Sequence, residues 1–500
     1  MRSSAATILF LTCSYLLSFF VAIDISSAME FPAPPTDAVA ASKRVAAPNF
    51  VLILSDDQGW NNTEVPMMRD RPDTASDYYQ TPNLKRLADQ GMTFSQGYAA
   101  HSICSPSRHA IQFGMTPARL KKTTNVGATY AEPFSTLSLP QILKQQNPDY
   151  RAGHFGKWHM FQEPAALGYD QSDGKTGNET GRHTTTDQTK FWPNDDPKLL
   201  QSVTDRSLAF MREQVQQGHP FYLQISHYAI HLNAEARPES LEKHQARQPG
   251  QVHTAYWYAA MIDDLDQAVG RVLDEIDTLK IADQTYVVFT SDNGGTARQF
   301  PGFNKPLRAG KGSYYEGGLR VPFFVRGPGI DAGSYCDTPV VGYDLFPTFA
   351  QLASDDQTLP ELPERVEGGS LVHLFQGQNE PVQRWREGLM FYRRLDAVII
   401  QDSMKLKVIN AGGKTELFDL KEDLSEAKDL ATERPETVTK LQSQLNQWLD
   451  DIEGRNQPQP RRRAGRAQQQ RAQQQRSGQQ RSGQQGSAAQ GTSDENKDDQ

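Results

Sequence analysis

Two short stretches of the chain, residues 49–55 and 285–290, are almost continuously apolar, and each runs into polar residues at its carboxyl end. Residues 220–228 form a third strand candidate. Unbroken apolar runs of this length are typical of strands buried on both faces of a parallel sheet. Residues 81–91 and 253–279 instead repeat apolar positions at helical spacing. Strands that alternate with helices predict an α/β fold, in which helices sandwich a large, mixed but mostly parallel sheet.

The pattern changes from about residue 384. Between residues 387 and 423, short alternating runs are interrupted by a Gly-Gly pair, and residues 436–452 return to helical spacing. Alternation indicates strands with one exposed face, as in antiparallel sheets. We therefore expect a main catalytic domain over residues 48–383 and a smaller C-terminal subdomain of antiparallel sheet plus helix over residues 384–455.

The two ends of the chain differ in composition from the rest. Arg2 precedes an apolar run and then small residues, the arrangement of an export signal, which we assign to residues 1–28. A membrane anchor is the alternative, but polar residues interrupt the run. Residues 29–47 form a Pro/Ala-rich linker, and residues 456–500 form a Gln/Arg-rich tail for which we expect disorder. The protein is therefore expected in a periplasmic, secreted or equivalent extracytoplasmic compartment, with no stable membrane span after signal removal.

The charge and the cysteine content narrow the possible functions. A formal net charge of −8 over 500 residues argues against nucleic-acid binding, which generally requires a basic face. Only Cys104 and Cys336 remain once the predicted signal is removed, so the fold does not rest on a disulfide framework. Cys104 stands where a helix is expected to start, and it is free for chemistry.

Polar residues directly follow two of the apolar strands. Asp56 and Asp57 come after the first strand, and Asp292 and Asn293 come after the last. In open α/β sheets the ligand site lies beyond the carboxyl ends of the strands, so we expect these four side chains to converge there. Three carboxylates and one amide oxygen suit a hard cation such as Ca²⁺ or Mg²⁺. One acid after a strand is most simply a turn or helix cap, but two such pairs favour a metal site.

Several potential cations and proton donors occur elsewhere in the chain. Each one alone is unspecific, because a lone histidine is more often structural than catalytic. Together with a divalent metal, they describe a pocket for a compact tetrahedral oxyanion such as sulfate or phosphate. These residues are His154, Lys157, His159, His227, His231 and Lys311.

One motif in the chain matches a known catalytic signature. Residues 104–108 read C-S-P-S-R, and Gly114 continues the pattern. This motif is similar to the signature of the type I sulfatases, within the alkaline phosphatase superfamily, and further blocks between residues 49 and 452 resemble that family in the same order. The resemblance implies that a formylglycine-generating maturase oxidises Cys104 to formylglycine, an aldehyde whose hydrate is the nucleophile. One hydroxyl of the hydrate would attack sulfur, and proton loss from the other would expel sulfate and restore the aldehyde.

The resemblance also implies a role for each matching residue. It implies that the metal is Ca²⁺, with Mg²⁺ less favoured, whereas His154 and His227 match no functional position and are expected to be structural. The implied metal ligands are Asp56, Asp57, Cys104, Asp292 and Asn293. The implied catalytic residues are Cys104, Arg108 at the formylglycine hydrate, Lys157 and Lys311 at the sulfate oxygens, His159 at the nucleophile and His231 at the leaving-group oxygen.

The rim of the site is expected to select the alcohol that carries the sulfate. Residues 169–197 are polar and glycine-rich, and an exported acidic chain fits a sulfated carbohydrate substrate better than a sterol sulfate. Two other hypotheses stay open. One is a phosphoester or phosphonate ester hydrolase of the same superfamily, and the other is a catalytically silent protein that binds sulfated glycans if Cys104 is unmodified. The expected rim residues are Lys175, His183, Lys190, Trp192, Arg298, Arg393 and Arg394.

Overall fold

The structure of the chain, a computed structural model, describes residues 47–125, 136–181, 191–296, 303–394, 396–409 and 413–453. All of these residues fall in one compact unit, which covers residues 45–500. The predicted signal, the predicted tail and nearly all of the predicted linker lie outside the described residues. The same holds for His183, Lys190 and Arg298 of the expected rim, and only the backbone of Trp192 is described.

The described residues form sixteen strands in four sheets, and the largest sheet has eight strands in the order β11-β2-β10-β9-β1-β7-β4-β5. Strands β9, β1, β7 and β4 are parallel neighbours, whereas β10 is antiparallel to both β9 and β2. The predicted mixed, mostly parallel sheet is therefore confirmed. In chain order the strands are β1 (Asn49–Ser55), β2 (Met92–Phe94), β3 (Gly97–Tyr98), β4 (Arg151–Gly156), β5 (Gln171–Ser172), β6 (Phe191–Pro193), β7 (Phe221–Ser226), β8 (Ala234–Ala236), β9 (Thr285–Ser291), β10 (Phe323–Arg326), β11 (Ser334–Cys336), β12 (Val340–Val341), β13 (Leu389–Arg393), β14 (Asp396–Gln401), β15 (Met404–Ile409) and β16 (Lys414–Asp419).

Helices cover both faces of the large sheet. Successive side chains of β1 point to opposite faces, and each set packs against a different group of helices. Val51 and Ile53 pack in a core with α1, α4 and α6, and the alternate residues Phe50, Leu52 and Leu54 pack in a second core with α2, α3 and α8. In the described part of the chain, no helix combines the length and apolar character needed to cross a bilayer. In chain order the α-helices are α1 (Pro82–Asp89), α2 (Cys104–Phe113), α3 (Leu139–Gln146), α4 (Leu200–Gln217), α5 (Pro238–Gln245), α6 (Tyr256–Thr278), α7 (Glu316–Leu319), α8 (Leu345–Ala353), α9 (Val372–Phe375) and α10 (Pro435–Ile452).

The carboxyl ends of the central strands lie side by side. The register pairs Ser55 with Ser291, and it pairs Ser226 with both Leu54 and Gly156. Since these strands run in parallel, the chain leaves all of them at the same edge of the sheet. The residues that directly follow the strands at this edge are Asp56, Lys157, His227 and Asp292.

The C-terminal part of the chain forms a separate sheet, as predicted. Strands β13 to β16 pair antiparallel in sequence order. Helix α10 packs Leu441, Leu445 and Trp448 against a core that includes Ile399 and Leu406 of this sheet. The exact limits of the predicted subdomain, residues 384–455, stay a prediction.

We expect Trp448→Ala to lower the free energy of unfolding by about 3–5 kcal/mol, the usual range for a buried Trp replaced by Ala. Trp448 is 1% exposed, and its Nε1 donates a hydrogen bond to Oε1 of Glu367 at 3.0 Å. The substitution leaves a cavity and removes this hydrogen bond, although Oε1 of Glu367 keeps its ion pair with Nε of Arg119 at 3.0 Å. The matched control is Asn446→Ala, an exposed position on the same helix, which should be near neutral. Denaturant unfolding measures both, and equal stability of the two variants would contradict the packing described for α10.

Candidate active site

Cys104 is the first residue of α2, and its side chain is fully buried at the carboxyl edge of the large sheet. Its Sγ lies 3.5 Å from Oδ1 of Asp56 and 3.7 Å from Oδ1 of Asp57. Pro106 fits the first helical turn, where an N–H group has no partner within the helix. Burial raises the pKa of the Cys104 thiol well above its usual range, and Asp292 adds to the rise. The helix begins where the sequence predicts, and its positive N-terminal end lies at the thiol.

Three buried carboxylates surround the thiol, and each one pairs with a cation. The site therefore balances three negative charges with three positive charges in a region that is almost closed to water. Such pairing is needed because an unpaired charge in a protein interior is very unfavourable. The pairs are Lys157 Nζ with Asp56 Oδ2 at 2.5 Å, Lys311 Nζ with Asp57 Oδ2 at 2.7 Å, and Arg108 Nη2 with Asp292 Oδ2 at 2.8 Å.

The cations control the protonation of these carboxylates. Burial alone raises the pKa of Asp56, but Lys157 and then His231 outweigh burial, so its pKa lies well below the usual range. In the same way Lys311 lowers the pKa of Asp57. Burial and the neighbouring Asp56 raise the pKa of Asp292 to about 6, and Arg108 limits the rise. Asp56 and Asp57 are therefore present as anions at neutral pH.

The oxygen atoms at this edge fit a hard divalent cation. Asn293 donates its Nδ2 hydrogen to Oδ1 of Asp57 at 2.8 Å, whereas its buried Oδ1 has no hydrogen-bond partner among the described residues. A buried acceptor without a donor is suited to a cation. One ligand atom from each of Asp56, Asp57, Cys104 and His231 lies within 4.8 Å of the others. Asp292 falls outside this group of four, and its predicted role as a ligand stays a prediction.

The two predicted catalytic histidines are both uncharged here. Burial, followed by Lys157 and Arg108, lowers the pKa of His159 to about 2, and burial lowers that of His231 to about 4. Nδ1 of His231 contacts the carbonyl oxygen of Leu232 and so carries the hydrogen, while Nε2 lies 3.7 Å from Oδ2 of Asp57. Nδ1 of His159 is buried, and no described atom is its hydrogen-bond partner.

All of the predicted site residues lie at this edge of the sheet, and His231 also lies within reach of the candidate metal ligands. The sequence predicts it at the leaving group, and the structure places its ring beside Asp57 and Cys104, within the group that could hold a metal. Two further residues escaped the sequence analysis. Thr296 donates a hydrogen bond to Oδ2 of Asp57 at 3.3 Å, and the carbonyl of Thr176 accepts from the backbone N–H of His159 at 2.8 Å. For Thr296 the available signal is its place in the loop that begins with Asp292 and Asn293.

The described residues of the expected rim lie at different places. Lys175 is half-exposed and pairs with Glu163 at 3.2 Å. Arg394 is exposed, whereas Arg393 donates a hydrogen bond to the carbonyl of Gly312, the residue after Lys311. The two histidines expected to be structural are both buried: Nε2 of His154 lies 3.1 Å from the Ser226 hydroxyl, and no described group hydrogen-bonds the His227 ring.

Comparison with known proteins identifies relatives of the whole folded unit. The family model described as Sulfatase matches residues 48–355. The chain is 26% identical to a protein named Sulfatase from Formosa agariphila, over 80% of this chain and 88% of that one. It is 29% identical to human N-acetylgalactosamine-6-sulfatase, over 72% of this chain and 71% of that one. Among solved structures, Ps i-CgsB in complex with k-i-k-neocarrahexaose superposes with a TM-score of 0.65 at 25% identity, covering 81% of this chain and 93% of that chain.

We expect Asp57→Asn to abolish binding of a divalent cation, because Asp57 is the carboxylate that Asn293, Thr296 and Lys311 all contact. After treatment with a chelator and reloading, the parent protein should contain stoichiometric divalent metal by elemental analysis, and the variant should contain almost none. The parent should also gain thermal stability on reloading, since a ligand that binds only the folded state stabilises it.

The control for this test is Asp274→Asn, which removes an exposed carboxylate of α6 that pairs with Arg86 of α1. It should load metal like the parent. Full metal content in the Asp57 variant would show that the ion binds elsewhere.

Proposed function

The chain belongs to the sulfatase family and is a sulfuric ester hydrolase, and from that premise we propose that it removes a sulfate monoester from a carbohydrate through a formylglycine nucleophile made from Cys104. The observation that carries the proposal is the position of Cys104. Its Sγ lies at the N-terminus of α2, within 3.7 Å of both strand-end carboxylates. A nucleophile held there faces the positive end of a helix, where an anionic ester binds favourably.

The balance of charges supports a sulfate ester as the ligand. The site contains three carboxylates and three cations, so a bound divalent ion leaves it with net positive charge. Such an ion supplies Lewis-acid stabilisation for an oxygen of the ester. Arg108, Lys157 and Lys311 then contribute fixed positive charge where negative charge develops during sulfate transfer. We propose Ca²⁺ as the ion, because the carboxylate and amide oxygens of the site are the ligands that Ca²⁺ prefers.

Two observations support a carbohydrate as the leaving group. One relative is named for N-acetylgalactosamine-6-sulfate, and the Ps i-CgsB structure contains a carrageenan hexasaccharide. The site also opens between hydrophilic residues, since its partly exposed side chains are His159, Lys311 at 20% and His231 at 14%. A hydroxyl-rich sugar fits such an opening better than an apolar alcohol does.

We further propose that the protein is exported and matured by a formylglycine-generating enzyme. The support is the signal-like composition of residues 1–28 and the C-S-P-S-R motif, in which the maturase would act on Cys104. Protein sequencing of the exported form should find the N-terminus close to residue 29.

The direct test of the reaction compares kcat/KM for an aryl sulfate and the matching aryl phosphate, using protein that is co-expressed with a maturase. We expect a strong preference for the sulfate. A preference for the phosphate would favour a phosphoester or phosphonate ester hydrolase, and failure to turn over either ester would favour a sulfated-glycan-binding protein.

Cys104→Ala should lose nearly all turnover while it keeps its fold, because it removes the nucleophile and only one of several potential metal ligands. The matched control is Cys336→Ala, which removes the other buried cysteine of the folded unit, in β11. This control should keep most of the turnover of the parent. Near-normal hydrolysis by purified, maturase-treated Cys104→Ala would rule out the proposed mechanism.

If His231 protonates the departing oxygen, His231→Ala should slow alkyl and sugar sulfates far more than aryl sulfates, because a phenolate leaves with little help. If His159 assists the nucleophile, His159→Ala should slow all substrates by similar factors. General acid–base assistance is worth about a hundred- to ten-thousand-fold. The measurement is kcat/KM across aryl sulfates of graded phenol pKa.

A steeper dependence on phenol pKa in the His231 variant than in the parent supports the assignment. Parallel slopes in the parent and both variants would mean that the leaving group takes its proton from Lys311 or from water.

A further inference from the structure

Arg393, the last residue of β13, reaches from the C-terminal sheet to the loop that carries Lys311. Its Nη1 donates a hydrogen bond to the carbonyl of Gly312 at 3.0 Å. Gly312 has a φ of 84°, a backbone conformation that favours glycine at this position of the loop. The N–H of Gly312 in turn donates to the carbonyl of Ser102 at 2.7 Å, two residues before Cys104. Arg393 is thereby connected through Gly312 to the Lys311 loop and to the segment before Cys104.

Arg393 differs from the buried arginines because it has no ion-pair partner among the described residues. The described residues include no carboxylate within ion-pair distance of it, and its Nε is buried with no described acceptor. Asp396 stands opposite Arg393 in the β13–β14 ladder. The strongly buried arginines differ from Arg393 in this respect. Arg108, Arg320 and Arg384 each pair with a carboxylate, namely Asp292, Glu316 and Asp344.

Two aromatic side chains, His101 and Tyr314, lie close enough to Arg393 for its charge to act on their pKa values, and Asp396 also acts on Tyr314. His101 and Tyr314 contact each other, with ring centroids 5.4 Å apart, and both are at least 96% buried. Burial, with a smaller contribution from Arg393, lowers the pKa of His101 to about 3, so the ring carries no charge at neutral pH. A half-buried guanidinium in such surroundings retains several N–H donors for a ligand.

The position of Arg393 relative to the opening of the site identifies that ligand. Lys311, His231 and His159 are the partly exposed side chains of the site, whereas Lys157, Arg108 and Cys104 are at most 1% exposed, so the site opens between the first three. The Cα atoms of Lys311 and Gly312 are separated by about 3.8 Å, the spacing of consecutive residues. Because Gly312 directly follows Lys311 and accepts a hydrogen bond from Arg393, the guanidinium lies on the Lys311 side of this opening.

We propose that Arg393 is a specificity residue that binds a second oxyanion, either a carboxylate or another sulfate, on the glycan that carries the scissile ester. The inference rests on the proposed function and adds a substrate class to it: glycans with two anionic groups. The planar guanidinium can hold either oxyanion through two parallel N–H···O bonds, which a single ammonium group cannot do.

Binding to the Cys104→Ala protein tests this without any need for turnover. The probes are N-acetylgalactosamine 6-sulfate, its 4,6-disulfate, and the 6-sulfate linked to glucuronic acid, so that separate arms test a second sulfate and a carboxylate. Calorimetry should find at least one dianionic probe bound about ten- to a hundred-fold more tightly than the monosulfate, as expected for charge-assisted hydrogen bonds. Adding Arg393→Gln should remove that advantage and leave the monosulfate affinity unchanged, while Arg393→Lys should keep part of it.

The control is Arg434→Gln, which removes another arginine of the C-terminal region that pairs with Asp419 at 3.5 Å. It should leave all three affinities unchanged. Equal weakening of all three probes by Arg393→Gln would show that Arg393 only positions the Lys311 loop, and that result overturns the proposal. No advantage for either dianionic probe in the Cys104→Ala protein would also overturn it.

Failure of the proposed function is recognised separately. An aryl sulfate has no second oxyanion, so its hydrolysis does not depend on Arg393. If the matured parent protein fails to hydrolyse it, the proposed function itself is wrong.

Discussion

The active-site edge depends on the pairing of three buried carboxylates with three cations. Removing one partner of a buried ion pair costs about 3–5 kcal/mol, because the remaining charge is left without compensation. Asp56, Asp57 and Asp292 each have such a partner, and all three are at most 2% exposed. With this balance, a divalent cation bound at Asp56 and Asp57 would give the site a net positive charge, which favours an anionic ester.

The register of the large sheet is what brings these charges together. Ser55 pairs with Ser291, so the two acidic loops begin at the same level of the sheet, and Gly156 pairs with Ser226, so Lys157 follows at the same level. Gly156 has a φ of 95°, and a Cβ there would lie 2.1 Å from the carbonyl oxygen of Ser226. Only glycine permits this close approach, which delivers Lys157 to Asp56.

Several features of the site could be predicted from the sequence, because they follow from local patterns. The strands before Asp56 and Asp292 are strongly apolar, and the acids that follow them predict a metal site at this edge of the sheet. Strand β4 could not be predicted in this way, since Arg151, Gly153 and His154 interrupt any apolar pattern. It forms because β7 on one side and β5 on the other satisfy its backbone. The contact of His231 with Asp57 and that of Arg393 with Gly312 join residues 174 and 81 positions apart, which no local pattern encodes.

The central claim is that Cys104 is the precursor of an aldehyde nucleophile at this charged edge. Mass spectrometry of the peptide that contains Cys104, from protein of measured specific activity, tests it most directly. The account predicts that a fraction of the peptide loses mass by conversion to formylglycine and reacts with an aldehyde reagent. This converted fraction should rise in proportion to sulfatase activity across preparations. Fully active protein in which all of Cys104 remains a thiol that can be alkylated would contradict it.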